Sequence, residues 1–364
     1  MFPSRLVSAL GKVDLANNHS MDFDGTDDYV DIGKAYNGVK SISFLLKVDD
    51  VTSNTDYVLG LNDTDYVSIV DGTVTLNGFS GGTNTIYVDS SQATTVDTEW
   101  HHIFITSTTA RNASNCDLGR TQSNNSYNMV GNLDEVAFTS DIKTPADFFS
   151  DSVPLDLSGL SNLKNWWRMG DGDYDDFTLI SDQANATLTE KVNNGDASAG
   201  SPSPLTMDDG DGTKISFTEY NGTEVARHTS TVAGEATSWK VTREFTDGIA
   251  TRIVPNADGN YDDKVFKVSL SVYIPSGQGI TTLSLRDNGT AIDSTTTVGS
   301  WVTLSGYIGH VSGTGYFIDV WSNSTSTSGG YYLTTDWSIK LASDSGSPGL
   351  MQNMASGDIV SDTI

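Results

Sequence analysis

The amino-acid sequence predicts an all-β protein made of two β-sandwich modules, preceded by a short N-terminal arm. Three observations support this prediction. Short segments with alternating apolar and polar residues recur along the chain. Only 18% of the residues are charged, and turn-favouring Gly, Ser, Thr, Asn and Asp take their place. A stretch rich in Gly, Ser, Pro and Asp over 193–212 separates two groups of alternating segments.

The alternating segments are short, and turn-favouring residues lie at their ends. Asp71-Gly72 lies between two of them and is typical of a tight hairpin turn. One helical turn is predicted over 144–149, with Thr144 as its cap and Pro145 in the first position. Many short strands in close succession favour sandwiches over alternating β-α-β units. The predicted strands cover residues 29–32, 41–46, 66–70, 73–76, 101–106, 133–138, 265–274, 302–308 and 316–321.

The predicted arm, residues 1–14, has an apolar stripe. On a helix, Phe2, Leu6, Val7 and Leu10 would share one face. Two interpretations are open: the arm docks on a larger assembly, or it packs against its own module. The arm lacks the apolar core of a signal peptide, so we expect the chain to mature in a cytoplasm.

Charge and cysteine content exclude several classes of function. With 20 basic and 47 acidic residues the net charge is −27, which disfavours binding to a phosphate backbone. Cys116 is the only cysteine, so an intramolecular disulfide and a thiolate metal cluster are both excluded. No apolar run approaches the length of a membrane span. From the charge we expect no nucleic acid as a partner, and from the lack of a long apolar run we expect no membrane.

Three separated motifs point to a known family for the first module. They are MDFDGTDDYVD at 21–31, EWHHIFIT at 99–106 and GNLDEVAF at 131–138. In this order and spacing they resemble laminin-G-like domains of the concanavalin-A-like lectin class. The resemblance covers residues 15–183 and implies a jelly-roll sandwich over 15–192.

Two further motifs resemble the ends of such modules in structural proteins of marine tailed bacteriophages. They are NWWRMGDG at 165–172 and GLMQNMASGDIV at 349–360. The second comes much later in the chain than the resemblance implies. We therefore predict that a second module is inserted, and that the tail, residues 343–364, returns to the first module.

The second module, predicted over 213–342, resembles the jelly-roll carbohydrate-binding modules of bacterial polysaccharidases and phage fibres. The resemblance rests on its strand order and on the closing segment 331–340. Sugars stack on exposed aromatic faces beside hydrogen-bonding groups. Trp301, in an alternating strand, is expected in the core. The candidate platforms are Trp239, Trp321, Tyr331, Tyr332 and Trp337.

Acidic residues make calcium the one cofactor to consider. The turn residues Asp24, Asp27 and Asp28, with Asp134 on a later strand, offer the hard oxygen ligands that calcium prefers. The alternative is that these carboxylates only accept backbone hydrogen bonds in the turn. The resemblance of the second module implies Asp336 as a further calcium ligand.

No catalytic residues are predicted. Gly78 to Gly82 matches a nucleophile-elbow string, but it lies in a hairpin-rich region rather than in an α/β sheet. A glycosidase needs two carboxylates flanking the scissile bond. Adjacent strand residues point to opposite faces, so we expect Asp134 and Glu135 to be separated.

The sequence thus predicts a non-enzymatic bacteriophage structural protein, exposed on the virion as capsid decoration or head fibre after assembly in the host cytoplasm. Expected partners are other virion proteins, host-surface polysaccharide and further copies of the chain. Two alternatives stay open: a receptor-binding tail fibre, or a secreted bacterial polysaccharide-binding protein.

Overall fold

A computed structural model describes much of the chain between residues 16 and 361. The predicted arm, with Phe2, Leu6, Val7 and Leu10, lies outside the described residues. The ranges not described inside these limits are 53, 122–127, 151–152, 173–174, 176, 185–188, 191, 194–205, 209–213, 217, 221–222, 244–249, 254–263, 310–316, 325–329 and 343–346.

The chain divides into two compact units. The first unit comprises Met1–Thr187 and Ser343–Ile364, and the second comprises Leu188–Ala342. The second unit is therefore inserted into the sequence of the first, and 343–364 belongs with the first unit.

The predicted linker over 193–212 is corrected by the strands found there. Thr206–Asp208 pairs on one side with Val192–Asn193 and on the other with Lys214–Ser216. The division of the chain falls between Thr187 and Leu188, so the stretch belongs to the second unit rather than lying between the two units.

The first unit is a sandwich of two seven-stranded sheets with a small hairpin beside them. Its strands are β1 (His19–Asp24), β2 (Tyr29–Gly33), β3 (Asn37–Val48), β4 (Thr55–Gly60), β5 (Tyr66–Val70), β6 (Thr73–Asn77), β7 (Asn84–Val88), β8 (His101–Asn112), β9 (Cys116–Leu118), β10 (Val130–Thr139), β11 (Phe149–Ser150), β12 (Val153–Pro154), β13 (Leu163–Trp167), β14 (Leu179–Ile180) and, after the second unit, β29 (Gly349–Gln352) and β30 (Ile359–Ser361).

One sheet has the order β30-β1-β10-β3-β8-β7, with β13 also on β10, and the other has the order β14-β29-β2-β9-β4-β5-β6. One apolar core draws residues from both sheets, including Phe23 and Phe44 from the first and Val30 and Val67 from the second. A smaller cluster around Phe104 and Trp166 covers the opposite face of the first sheet.

The second unit is also a sandwich, with six-stranded and five-stranded sheets and a separate three-stranded sheet. Its strands are β15 (Thr189–Glu190), β16 (Val192–Asn193), β17 (Thr206–Asp208), β18 (Lys214–Ser216), β19 (Thr218–Tyr220), β20 (Thr223–His228), β21 (Ser238–Arg243), β22 (Ala250–Ile253), β23 (Phe266–Tyr273), β24 (Ile280–Asp287), β25 (Thr290–Thr295), β26 (Trp301–Ile308), β27 (Ile318–Ser324) and β28 (Tyr331–Leu341).

The six-stranded sheet has the order β20-β21-β28-β23-β26, with β15 also on β28, and the five-stranded sheet has the order β19-β22-β27-β24-β25. The core between them contains Leu270 and Tyr332 from one sheet and Leu285 and Val320 from the other. The all-β prediction is therefore correct for both units.

Helical structure in the described residues is confined to two three-residue 3-10 turns, Pro145–Asp147 and Ser356–Asp358. The first is the turn expected from Thr144 and Pro145, and the Asp147 carboxylate accepts hydrogen bonds from both the backbone amide and the hydroxyl of Thr144. No helix in the described part of the chain is long and apolar enough to cross a membrane.

Candidate functional site

Three of the five aromatic candidates lie in the core of the second unit. Trp239 is 6% exposed, Trp337 is 3% exposed and Tyr332 is fully buried. The Tyr332 hydroxyl donates to the carbonyl of Val320 inside the sandwich. A sugar needs an exposed ring face, so the prediction that these three residues are platforms is wrong.

The other two candidates, Trp321 and Tyr331, are half-buried. They lie on different sheets, Trp321 on β27 and Tyr331 on β28. Lys240 lies 4.3 Å from the centre of the Tyr331 ring. Trp301, which the sequence placed in the core, is half-buried as well, and its indole packs 5.4 Å from Tyr273.

Trp321 lies on the outer face of the five-stranded sheet. Alternation along β27 turns Ile318 and Val320 into the core and leaves Asp319 and Trp321 on the other face. The strand register places Ser284 of β24 on one side of Trp321 and Ala250 of β22 on the other.

The row next to Trp321 contains two arginines and one carboxylate. Asp319 lies between Arg286 of β24 and Arg252 of β22 in the register. Arg286 donates to Asp319 through Nε and Nη2, both at 2.7 Å, and Arg252 donates through Nη2 at 3.0 Å. The Asp319 side chain is fully buried, whereas each arginine side chain is 16% exposed.

The guanidinium groups also stack on aromatic rings. The Cζ atom of Arg286 lies 4.2 Å from the centre of the Trp321 ring, and that of Arg252 lies 3.6 Å from the centre of the Phe317 ring. These contacts fix both guanidinium planes against flat surfaces. We call Trp321, Arg286, Asp319 and Arg252 the Trp321 face. It combines a half-buried indole with hydrogen-bond donors held in place.

Sequence reasoning found Trp321 but missed its partners. The alternation Ile318-Asp319-Val320 already indicates that Asp319 shares a face with Trp321, two residues away. The arginines come from other strands, and their position depends on the register, which the sequence does not encode locally.

The turn between β1 and β2 brings three of the predicted calcium ligands together. Ligand atoms of Asp24, Asp27 and Asp28 lie within 4.8 Å of one another. The same turn contains the hydrogen bonds of the alternative interpretation, because Asp24 accepts from Thr26 N at 2.7 Å and Asp28 accepts from Asp24 N at 3.2 Å. These three residues could hold a calcium ion, which stays a prediction.

Asp134 and Asp336 do not belong to this cluster. In the register of β1 and β10, Asp24 faces Val130, four residues before Asp134, which corresponds to about 13 Å along the strand. The Asp134 carboxylate instead accepts from Asn17 Nδ2 and Glu135 N. Asp336 is exposed at a bulge in β28 with φ +53°, and among the described residues it belongs to no group of three or more candidate ligands.

The prediction that Asp134 and Glu135 point to opposite faces of the sheet is also wrong. A bulge in β10 leaves Glu135 at φ +51° and shifts the alternation. Leu133 and Val136 point into the main core, and Glu135 accepts 2.6 Å and 3.0 Å hydrogen bonds from Trp166 Nε1 and Arg168 Nε on the other face. Both acids therefore face away from the main core.

Glu135 has no room for a sugar beside it. It is 6% exposed, and burial raises its pKa while the paired Arg168 opposes that change. The adjoining cavity has a volume of about 10 Å³, enough for one water molecule. Buried His102 also lines this cavity, and its Nε2 and the hydroxyl of Ser43 form a 2.8 Å hydrogen bond. Burial lowers the His102 pKa to about 4, so the ring is neutral near pH 7.

Comparison with known proteins gives no family for this chain. No protein family matches it, and no curated protein matches it. Nothing in these comparisons supports the laminin-G-like resemblance of the first unit.

The solved structures that this chain matches include carbohydrate-binding modules. The CBM22-1 xylan-binding domain from Paenibacillus barcinonensis matches with 17% identity and a TM-score of 0.28, over 44% of this chain and 97% of that domain. A C-terminal family 22 carbohydrate-binding module from Clostridium thermocellum matches with 17% identity and a TM-score of 0.29, over 35% of this chain and 85% of that module. Tailspike protein 4 of bacteriophage CBA120 matches with 15% identity and a TM-score of 0.26, over 42% of this chain and 21% of that protein.

Proposed function

We propose that the chain is a non-enzymatic surface protein of a bacteriophage particle and that its second unit binds glycans through the Trp321 face. The observation that carries the glycan proposal is Trp321 itself. Its indole lies half-buried on the outer face of a sheet and stacks with Arg286. A pyranose presents an apolar face to such a ring, while its hydroxyls find donors around it.

The assignment to a phage particle rests on sequence motifs. The tail motif at 349–360 resembles those of marine phage structural proteins, and the strands it forms pair inside the first unit. The proposed location is the virion surface, with other virion proteins and further copies of the chain as partners. Labelling purified particles with an antibody against the chain, followed by electron microscopy, tests this part. Labelling on the head supports capsid decoration, labelling on the tail supports the tail fibre, and unlabelled particles contradict both.

Glycan binding is tested with the full chain on a glycan array and by affinity electrophoresis in polysaccharide gels. We expect retention in at least one polysaccharide gel and loss of retention in Trp321→Ala. Trp301→Ala is the matched control, since it removes a half-buried indole from the other sheet of the same unit. Equal loss in both variants, with both still folded, contradicts the role of the Trp321 face.

The non-enzymatic part is tested by incubating the chain with any polysaccharide it binds. We expect no release of reducing ends, because Glu135 is buried against Trp166 and Arg168 with space for one water beside it. Release that disappears in Glu135→Gln would overturn this part.

A further inference from the structure

Three Asn–Gly pairs lie in the described part of the chain, at 37–38, 77–78 and 288–289. Two more, at 194–195 and 221–222, lie outside the described residues. An Asn–Gly pair is chemically reactive, because glycine has no Cβ to obstruct the approach of its backbone nitrogen to the asparagine side chain. The three described pairs have different surroundings, and these surroundings decide how readily each pair reacts.

The reaction is deamidation, and its only co-reactant is water. The glycine nitrogen loses its proton to hydroxide and attacks Cγ of the asparagine, so that a new N–Cγ bond forms. The Cγ–Nδ2 bond breaks, and Nδ2 takes up a proton and leaves as ammonia, which produces a succinimide ring. Water then opens this ring at either of its carbonyl carbons, to give aspartate or isoaspartate. In isoaspartate the main chain runs through the side chain and is one carbon atom longer.

Asn288 and Gly289 form the two-residue turn between β24 and β25. The ladder pairs Asp287 with Thr290, so the Gly289 nitrogen lies outside the ladder. Both turn residues are exposed, with φ +43° and +95°, as a type I′ turn requires. The Asn288 side chain has no hydrogen-bond partner among the described residues. Because β25 is an edge strand of its sheet, we expect this end of the hairpin to open at low cost.

The pair at Asn77 is more closely held. Its Nδ2 atom, the leaving group of the reaction, donates to Ser68 Oγ at 2.9 Å. Asn77 is half-buried and pairs with Tyr66 in the ladder of β5 and β6. A Cβ on Gly78 would clash with the Thr64 carbonyl oxygen, so the backbone of this pair is tightly packed. The Gly78 nitrogen can therefore reach the side-chain carbon only after local unfolding.

Asn37 is exposed, but its backbone is held in a strand. It pairs with Asn112 in the ladder of β3 and β8, and β3 has a neighbour on each side in its sheet. A Cβ on Gly38 would lie 3.0 Å from the Tyr36 ring, so there is little room for the backbone to rotate. The reactive geometry again requires local unfolding, here of an inner strand.

We propose that Asn288 is a site of spontaneous deamidation in the folded protein, and that the fold protects Asn77 and Asn37. This modification site does not depend on the proposed glycan binding. Each product adds a negative charge beside Asp287, in a chain that already carries −27. Isoaspartate also lengthens a two-residue turn whose length sets the register of β24 and β25. We therefore expect isoaspartate to weaken the pairing of β25.

The test is peptide mapping by mass spectrometry after incubation of the full chain at pH 6 and pH 8.5, in buffer and in denaturant. Labelling with an isoaspartyl methyltransferase identifies isoaspartate. In denaturant the three pairs should react at similar rates. In the folded chain Asn288 should convert at least about 10-fold faster than Asn77 or Asn37, since a strand opens less often than an exposed turn. Conversion should be faster at pH 8.5, because the attacking nitrogen must lose its proton.

Asn288→Gly is the matched control, because glycine adopts the same positive φ and cannot form the ring. On incubation, the melting temperature of the second unit should fall in the wild type and stay constant in this variant. Equal rates at the three sites in the folded chain, or a rate at Asn288 that folding slows as much as the rate at Asn77, overturn the proposal. A melting temperature that falls equally in both proteins overturns the effect on β25.

Discussion

The backbone amide of Ser347 donates a 3.0 Å hydrogen bond to the buried carboxylate of Asp182, 165 positions earlier in the chain. The Ser347 carbonyl in turn accepts from Trp167 Nε1 at 2.7 Å. Between these two positions the chain forms the whole second unit. The first unit therefore contains residues from both sides of the insertion, and we expect its stability to depend on the C-terminal strands.

Replacing Met351 with alanine tests this dependence. Met351 lies on β29, is 6% exposed and belongs to the core of the first unit. The substitution leaves a cavity, so we expect a loss of about 2–4 kcal/mol in the free energy of unfolding of the first unit. Met354→Ala, at a partly buried side chain three residues later, should cost less. Denaturant unfolding measures both, and equal stability of wild type and Met351→Ala would show that the tail does not support this core.

The stability of the first unit should increase as the pH is lowered from 8 to 5. Burial raises the pKa of Asp56, Asp175 and Asp182 from 3.8 to about 6. The folded unit thus binds protons more tightly than the unfolded chain does. These groups favour folding most below pH 4, and that contribution is lost as the pH rises through about 6. Relief of repulsion in a chain of charge −27 acts in the same direction. Buried His102, with its pKa lowered to about 4, acts in the opposite direction, and we expect the three carboxylates to outweigh it.

Thermal unfolding at pH 5, 6, 7 and 8 checks this expectation. Asp56→Asn keeps an acceptor for Val130 N but cannot titrate, so its melting temperature should change less with pH than that of the wild type. A melting temperature that is constant over this range, or lower at pH 5 than at pH 8, would show that these carboxylates do not control the stability of the unit.

Asp319→Ala should destabilise the second unit and leave the first unchanged. The substitution leaves Arg252 and Arg286 without their shared buried partner, and breaking such a buried pair costs about 3 kcal/mol. Asp336→Asn is the matched control, because Asp336 is exposed and Asn tolerates its positive φ. It should change stability by less than about 0.5 kcal/mol. Limited proteolysis that follows each unit separately reads out the difference.

The sequence predicts the fold class and the insertion because both depend on local alternation and on separated motifs. It also contained the information to place Trp301, since Val302 and Leu304 alternate into the core side and leave Trp301 on the other face. Alternation along β28 also predicts that the rings of Tyr331 and Tyr332 lie on opposite faces of the sheet. It does not predict which of the two rings is buried.

Bulges and register explain the remaining errors. At Glu135 and at Asp336 a bulge with positive φ shifts the alternation, and nothing in the local sequence marks either bulge. Asp134 misses the turn cluster because the register of β1 and β10 sets it four residues too far along the strand. Arg252 and Arg286 meet at Asp319 only through cross-strand pairing.

Hydrogen–deuterium exchange of the full chain, with and without the oligosaccharide that binds it most tightly, tests the central claim most directly. If the Trp321 face binds glycans, amides in peptides covering β24 and β27 exchange more slowly with the ligand present, while peptides of the first unit are unchanged. Protection confined to the first unit, or to β23 and β26 of the six-stranded sheet, would contradict the assignment of glycan binding to the Trp321 face.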